Sequence, residues 1–308
     1  MESRRIANLE VSSIGLGCNN FGWRIDEPAS HAVVSAALDA GITFFDTSDT
    51  YGGTKSEEFL GRALGARRTS VIIATKFGSK IDEKHKGARP EYVRQACEDS
   101  LRRLGTDYID LYQLHRPDPT TPIRDTLGAL NELVSAGKVL QIGCSNFSAE
   151  QIREAQAASE ELGGASFVSV QNNYNMLERE DEAGAIPECE RLGLAYLPYF
   201  PLANGLLTGK VRQGKSIAAG TRIADIEWMK EKVSERNLRI VERLIEFASS
   251  RNHTMLELAF SWLLRLPVVA SVIAGATSPA QVQANARAAA WTLSASDLTT
   301  VDAILASS

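Results

Sequence analysis

Apolar residues recur along this chain in two alternating rhythms. Short runs rich in β-branched and aromatic residues fall at 13–17, 42–46, 71–76, 108–115, 139–145, 167–171, 195–200 and 269–274. Between them the apolar positions switch to helical spacing. The segment 27–40 has Pro28 at its start, Val33, Val34, Ala37 and Leu38 on one face, and Gly41 after its end, which predicts a helix. The segment 56–64 reads as a short helix, and 90–104 places Val93, Cys97, Leu101 and Leu104 on one face with Gly105 as the stop. The next, 122–136, carries Leu127, Leu130 and Val134, and the spacing of Ser148 and Gln151 predicts a capping box opening another helix. Late in the chain, Leu238, Val241, Leu244, Ile245 and Ala248 share a face, and 255–266 is again helical.

Eight strands separated by helices predict a parallel α/β sheet. Right-handed crossovers can close such a sheet into a (β/α)8 TIM barrel, while periodicity alone leaves a doubly wound open sheet as the alternative. Between the seventh and eighth runs lies a long insertion, 203–232, whose length reads as a functional lid. No Pro/Ser-rich linker or low-complexity tract interrupts the pattern, so residues 1–308 are read as one domain. The 308-residue length agrees, since barrels of this kind run to about 250 residues.

Composition narrows the class. Hydrophobic residues are 44% and charged residues 23%, the balance of a globular protein. A net charge of -5 argues against a nucleic-acid surface. Cys18, Cys97, Cys144 and Cys189 are scattered without a CxxC pair, which favours reduced thiols in a cytoplasmic protein over a disulfide framework or zinc site. His31, His85, His115 and His253 lack metal-ligand spacing, so a metal-dependent hydrolase is disfavoured. The start of the chain has no apolar stretch of signal-peptide type, and no run of about 20 apolar residues predicts a membrane span.

The chemistry lies where the strands stop. The strands end at Asp46, Lys76, His115, Ser145-Asn146 and Gln171-Asn172-Asn173. In a barrel these C-terminal ends form one rim, where active sites are built. Each residue has a plainer reading: Asp46 as a turn cap, Lys76 as a snorkelling surface lysine, His115 as a rim residue, and Tyr51 as a loop cover. Their coincidence on one face points instead to one polar constellation.

At these residues the sequence resembles the aldo-keto reductase superfamily. The segment Phe44-Phe45-Asp46-Thr47-Ser48-Asp49-Thr50-Tyr51-Gly52 is similar to the motif F-D-T-A-x-x-Y-G. Ile72-Ile73-Ala74-Thr75-Lys76 is similar to its lysine strand and Asp107-Tyr108-Ile109-Asp110-Leu111-Tyr112-Gln113-Leu114-His115 to its histidine strand. Ile142-Gly143-Cys144-Ser145-Asn146-Phe147, Gly205-Leu206-Leu207-Thr208-Gly209-Lys210, and Gly275-Ala276-Thr277-Ser278 with Gln281 and Asn285 continue the likeness in order. The pattern most resembles the bacterial branch related to potassium-channel β subunits.

The resemblance implies a TIM barrel with NAD(P)H across its mouth and no Rossmann unit. It implies reversible reduction of aldehydes or ketones, with Asp46, Tyr51, Lys76 and His115 as the catalytic set and Tyr51 as general acid. An unperturbed tyrosine has a pKa of about 10, which a neighbouring lysine ammonium would lower. By the same resemblance Ser145, Asn146 and Gln171 would hold the nicotinamide carboxamide, and Tyr199 would lie against its ring. Cys18, Asn19, Phe200, Pro201, Leu202, Asn204, Lys210, Arg222, Gly275, Thr277, Gln281 and Asn285 complete the expected cofactor contacts. Trp23, with Tyr51 and His115, would line the substrate mouth, although a loop aromatic also serves as a hydrophobic plug. Gly275 and Gln281 stand where well-studied members hold a 2′-phosphate with Lys and Arg, and Phe200 replaces a common serine. NADP(H) is favoured over NAD(H), with Arg222 as a substitute phosphate ligand. The competing function is an NADP(H)-binding redox-sensing regulatory subunit. The small-molecule substrate and any homo-oligomer are not specified.

Overall fold

In the computed structural model the apolar runs lie side by side in parallel, and the last returns to the first. The structure describes residues 1–215, 217, 222–230 and 232–307, apart from the side chains of Arg222 and Trp228. An antiparallel hairpin, β1 (Ser3–Ile6) and β2 (Leu9–Ser12), comes first. The barrel strands follow as β3 (Ile14–Gly17), β4 (Phe44–Asp46), β5 (Ile72–Phe77), β6 (Ile109–Leu114), β7 (Val139–Ser145), β8 (Phe167–Asn173), β9 (Ala195–Tyr199) and β10 (Val272–Gly275). They pair in chain order, with β10 beside β3. Tyr196 closes the ring: its N–H donates to the Val268 carbonyl (2.7 Å) and its carbonyl accepts from the Ala270 N–H (3.1 Å). Of the two architectures left open by periodicity, this is the (β/α)8 barrel.

Helices alternate with the strands. They are α1 (Glu27–Asp39), α2 (Lys55–Leu64), α3 (Pro90–Leu104), α4 (Ile123–Ser135), α5 (Ala149–Leu162) and α6 (Ala185–Leu192). After β9 come two single turns, α7 (Arg222–Asp225) and α8 (Glu227–Lys230), then α9 (Glu235–Ser250) and α10 (Met255–Leu264). After β10 come α11 (Pro279–Arg287) and α12 (Ala295–Ala306). Local chemistry sets their ends. Ser148 and Gln151 exchange both bonds of a capping box at α5, as Thr254 and Glu257 do at α10. Gly105 ends α3 in the left-handed conformation (φ 63°), which costs a residue without Cβ little.

The hairpin adds to the eight predicted strands. In β1 only Ile6 is buried, too little for an alternation to show in the sequence. Ile6, Leu9 and Val11 pack with Phe44, Ala74, Leu111, Leu197 and Ile273, so the hairpin plugs one end of the barrel with apolar side chains. Side chains on a strand return to the same face every second residue. Two positions beyond Phe44, Ala74, Leu111 and Leu197 therefore come Asp46, Lys76, Gln113 and Tyr199. The same geometry that fills the bottom with hydrocarbon turns polar groups inward at the top.

Candidate active site

Lys76 anchors the top of the barrel. Its side chain is wholly buried, at 0% exposure, an expensive position for an ammonium without partners. Lys76 Nζ donates to Asp46 Oδ1 (2.8 Å), Asp46 Oδ2 (2.7 Å) and the Thr47 carbonyl (2.8 Å). It also lies 3.5 Å from Tyr51 Oη. Burial pulls the lysine pKa down, but the Asp46 carboxylate, with a further contribution from Tyr51, outweighs it and leaves the pKa raised. The ammonium is therefore charged across the physiological range. Asp46 Oδ1 also accepts from Gln171 Nε2 (2.8 Å). Of the plainer readings, a snorkelling Lys76 is excluded by this burial.

Tyr51 is held by the loop after β4. Gly52, immediately after it, has φ 59°, and a Cβ built there would lie 2.1 Å from the Phe21 carbonyl. Only glycine lets the two loops approach this closely. The Tyr51 ring meets His115 edge-on, with centroids 5.9 Å apart.

His115 follows β6, its N–H donating to the Phe77 carbonyl (2.8 Å) and its carbonyl accepting from Asn146 Nδ2 (2.9 Å). Its Nδ1 lies 3.1 Å from Ser48 Oγ. Burial, then the positive charges of Lys76 and Arg116, push its pKa down to about 3. The imidazole is therefore neutral around physiological pH. Asp46, Tyr51, Lys76 and His115 are thus one cluster, although they come from separate parts of the chain.

The cluster lies beneath a cleft of about 840 Å³. Asn19, Ser145, Asn146, Gln171, Tyr199, Phe200, Pro201, Leu202, Asn204, Lys210, Gly275, Thr277, Gln281 and Asn285 line it together with Asp46, Tyr51 and His115. Ser145 Oγ donates to the Gln171 carbonyl (2.7 Å), and Tyr199 Oη donates to Asn146 Oδ1 (2.7 Å). Beyond them the loop after β9 holds Phe200 (φ 52°), Ala203 (φ 45°) and Asn204 (φ 59°) in the left-handed region. Non-glycine residues keep such angles only when their surroundings impose them. Asn204 Oδ1 is buried with no hydrogen-bond partner.

Two predicted residues do not face the cleft. Cys18 is wholly buried with its Sγ 3.7 Å from the Leu16 carbonyl, because the chain turns at Asn19 and Asn20 and those side chains face the opening instead. Trp23 is 53% exposed and is not among the residues lining the cleft. Arg24, beside it, does line the cleft and pairs with Asp225 of α7 at 3.3 Å. Arg222 lies in α7, but its side chain is outside the described residues, and so is the phosphate contact expected of it. Lys76 touches Tyr51 from below rather than lining the opening.

Sequence reading missed Arg24, Arg116, Glu178 and Lys232, all in the lining. Arg116 had a signal, since it directly follows the rim residue His115. The others sit on loops, whose facing no periodicity reveals. Among the described residues no group of three or more His, Cys, Asp or Glu is placed to hold a metal ion, and no helix is long and apolar enough to cross a membrane.

The donor set fits a nicotinamide dinucleotide. Amide and hydroxyl groups gather beside the cluster, and the loops after β9 and β10, the seventh and eighth barrel strands, continue the cleft with Lys210 and Gln281. Barrels commonly bind phosphate at those two loops. Residues 13–306 match the aldo/keto reductase family. The chain belongs to the aldo/keto reductase family. It is 36% identical to the aldo-keto reductase YhdN of Bacillus subtilis over 99% of this chain and 94% of that protein. It is 34% identical to a probable voltage-gated potassium channel subunit beta of Oryza sativa, over 92% of this chain and 88% of that one. The glycerol dehydrogenase structure from Gluconobacter oxydans superposes with a TM-score of 0.85 at 31% identity, covering 99% of this chain and 95% of that one. The protein is accordingly an NAD(P)H-dependent oxidoreductase, of a family acting on small carbonyl compounds.

Proposed function

We propose that this single-domain barrel is a cytoplasmic, NADP(H)-dependent reductase of aldehydes and ketones in which Tyr51 exchanges the proton with the substrate oxygen. The observation that carries the reading is the wholly buried Lys76 ammonium, divided between Asp46 and Tyr51. When bound, the cofactor supplies a hydride to the carbonyl carbon, or takes one from an alcohol. Tyr51 Oη gives the proton to the substrate oxygen. The ammonium 3.5 Å away stabilises the phenolate left behind, because opposite charge favours the ionised form. Asp46 fixes the ammonium from the other side. His115 is neutral, and its Nε2 makes no hydrogen bond among the described residues. It adds a hydrogen bond to the oxygen as negative charge develops there. In oxidation the same groups run in reverse.

Ser145, Asn146 and Gln171 hold the nicotinamide amide in this reading, with Tyr199 against the ring. Preference for NADP(H) is supported by what lines the far end. Lys210, Thr277, Gln281 and Asn285 include a cation and no carboxylate. A carboxylate there would bind the ribose 2′-hydroxyl of NAD and repel a 2′-phosphate. Fluorescence titration with NADPH and NADH tests this; equal or tighter NADH binding refutes the preference. Tyr51→Phe tests the chemistry. Carbonyl reduction should fall by at least about a hundredfold, the usual worth of a general acid, with cofactor binding retained. A near-normal rate removes Tyr51 from the proton path.

A second reading, an NADP(H)-binding redox-sensing subunit with little turnover, draws on the similarity to the plant channel subunits. Single-turnover oxidation of bound NADPH by a panel of aldehydes separates the two. Tight binding with no carbonyl reduced favours the sensor.

A further inference from the structure

Ser48 stands where the motif F-D-T-A-x-x-Y-G carries alanine, and the substitution places a hydroxyl between two groups that otherwise would not communicate. On one side Ser48 Oγ lies 3.1 Å from His115 Nδ1, and on the other it donates to Asp49 Oδ1 (3.1 Å). It also accepts from the Thr50 N–H (3.3 Å) and has the Thr50 hydroxyl at 3.1 Å. Asp49 is 1% exposed, and its second oxygen, Oδ2, is buried with no hydrogen-bond partner. A buried carboxylate with an unsatisfied oxygen is unstable in its charged form.

We propose that Asp49 is a positioning residue that acts through Ser48 to set which nitrogen of His115 carries the proton. The proposal rests on the reductase reading of the same site. A neutral imidazole has one donor and one acceptor nitrogen, and the partner of the first decides the role of the second. With Asp49 protonated, its carboxyl donates to Ser48 Oγ, Ser48 donates to His115 Nδ1, and Nε2–H is a donor toward the substrate oxygen. That form is the one that supports turnover, in reduction and in its reverse alike. With Asp49 ionised, Ser48 donates to the carboxylate, because a charged acceptor makes the stronger hydrogen bond. His115 Nδ1–H then donates to Ser48, and Nε2 presents a lone pair that cannot donate to the substrate oxygen, so turnover is weakened in both directions.

The protons balance. On ionisation Nε2 releases its proton to solvent in the cleft, the Ser48 proton moves to Nδ1, and the Asp49 proton moves to Ser48. Three protons move, and one of them leaves. His115 carries no net charge before or after, in keeping with its low pKa.

The surroundings place this equilibrium in an accessible range. Burial first, then Glu57 of α2, raise Asp49 to about 7, against the opposing hydrogen bond from Ser48 and the charge of Arg103. Arg103 of α3 pairs with Glu57 at 2.6 Å. Tyr92 of α3 and Tyr112 of β6 face the same region, and burial holds both phenols protonated. On the imidazole side stand Lys76 of β5, which the Asp46 carboxylate keeps charged, Arg116, and the edge-on ring of Tyr51.

The test is 15N NMR of the imidazole nitrogens in the full chain, with His115 assigned among four histidines by its absence in His115→Gln. Between pH 5.5 and 8.5 the wild type should pass from the Nε2–H to the Nδ1–H tautomer, with the ratio changing up to about tenfold per pH unit. In Asp49→Asn and in Ser48→Ala the ratio should no longer change with pH. The kcat for carbonyl reduction at saturating NADPH should fall across the same range in the wild type, as the donor form of Nε2 is lost, and stay level in Asp49→Asn. One fixed tautomer in the wild type, or a pH-dependent change that survives Asp49→Asn, overturns the proposal. If the tautomer is fixed but Tyr51→Phe still abolishes turnover, the relay fails and the reductase stands. If the tautomer switches in a protein that reduces no carbonyl, the relay stands and the reductase fails.

Discussion

Replacing Lys76 by methionine keeps the length and apolar body of the side chain and removes only the ammonium. Asp46, 3% exposed, is then left with Gln171 Nε2 at 2.8 Å as its remaining side-chain donor. Removing one member of a buried ion pair typically costs about 3–5 kcal/mol, because the other charge stays buried without compensation. At roughly 2.1 cal/mol/K per residue, a 308-residue chain has an unfolding entropy of about 0.65 kcal/mol/K, so Tm should drop by about 5–8 °C. Catalysis should suffer separately. Tyr51 loses the charge 3.5 Å from its oxygen, and carbonyl reduction should fall by about a hundred- to ten-thousand-fold, the range for general acid–base groups. The double variant Lys76→Met with Asp46→Asn separates the two effects. It leaves no unpaired charge at this site, so calorimetry should show most of the lost stability restored, while turnover stays low. The reasoning is refuted if the double variant is no more stable than Lys76→Met, or if Lys76→Met keeps the wild-type pH–rate profile.

Further expectations follow from the same geometry. Asp49 binds its proton up to about pH 7 in the fold but only to about 3.9 when unfolded, so the folded state holds more protons between these values and loses stability as pH rises through them. Asp49→Asn should therefore raise Tm relative to the wild type more at pH 8 than at pH 4; an equal shift at both counts against it. His115 has the opposite sign: its pKa of about 3 lies below the unfolded 6.5, so it costs stability as pH falls through that window, and its NMR signals should show no imidazolium at pH 5. Ile6→Ala empties part of the plug at the far end of the barrel and should cost about 2–5 kcal/mol with kcat unchanged, as read by denaturant unfolding and steady-state rates. Gly52→Ala must move the Tyr51 loop away from the Phe21 carbonyl, lowering both kcat and Tm; an unaltered kcat would show that this contact does not hold Tyr51.

Elements with local causes were legible in the sequence. The eight strands and most helices were readable because alternation, helical spacing and caps such as Ser148 with Gln151 act over a few residues. The rim position of Asp46, Lys76, His115 and Gln171 followed from where each strand ends. The hairpin escaped because Ile6 alone of β1 is buried, and a single inward residue makes no pattern. Cys18 and Trp23, expected at the cleft, do not line it, because a loop's facing depends on what packs against it. Arg24 was missed for the same reason.

Alone, the amino-acid order fixed the period of each segment, its ends, and the residue types at each strand terminus, since these depend on neighbours in the chain. Only ring closure decided that Lys76, at 0% exposure, meets both Asp46 and Tyr51, and that Ser48 reaches His115 across 67 positions. Contacts of that span are set by strand register and by how tightly loops such as those at Gly52 and Phe21 approach. Those depend on the packing of the whole barrel and not on any local stretch of sequence.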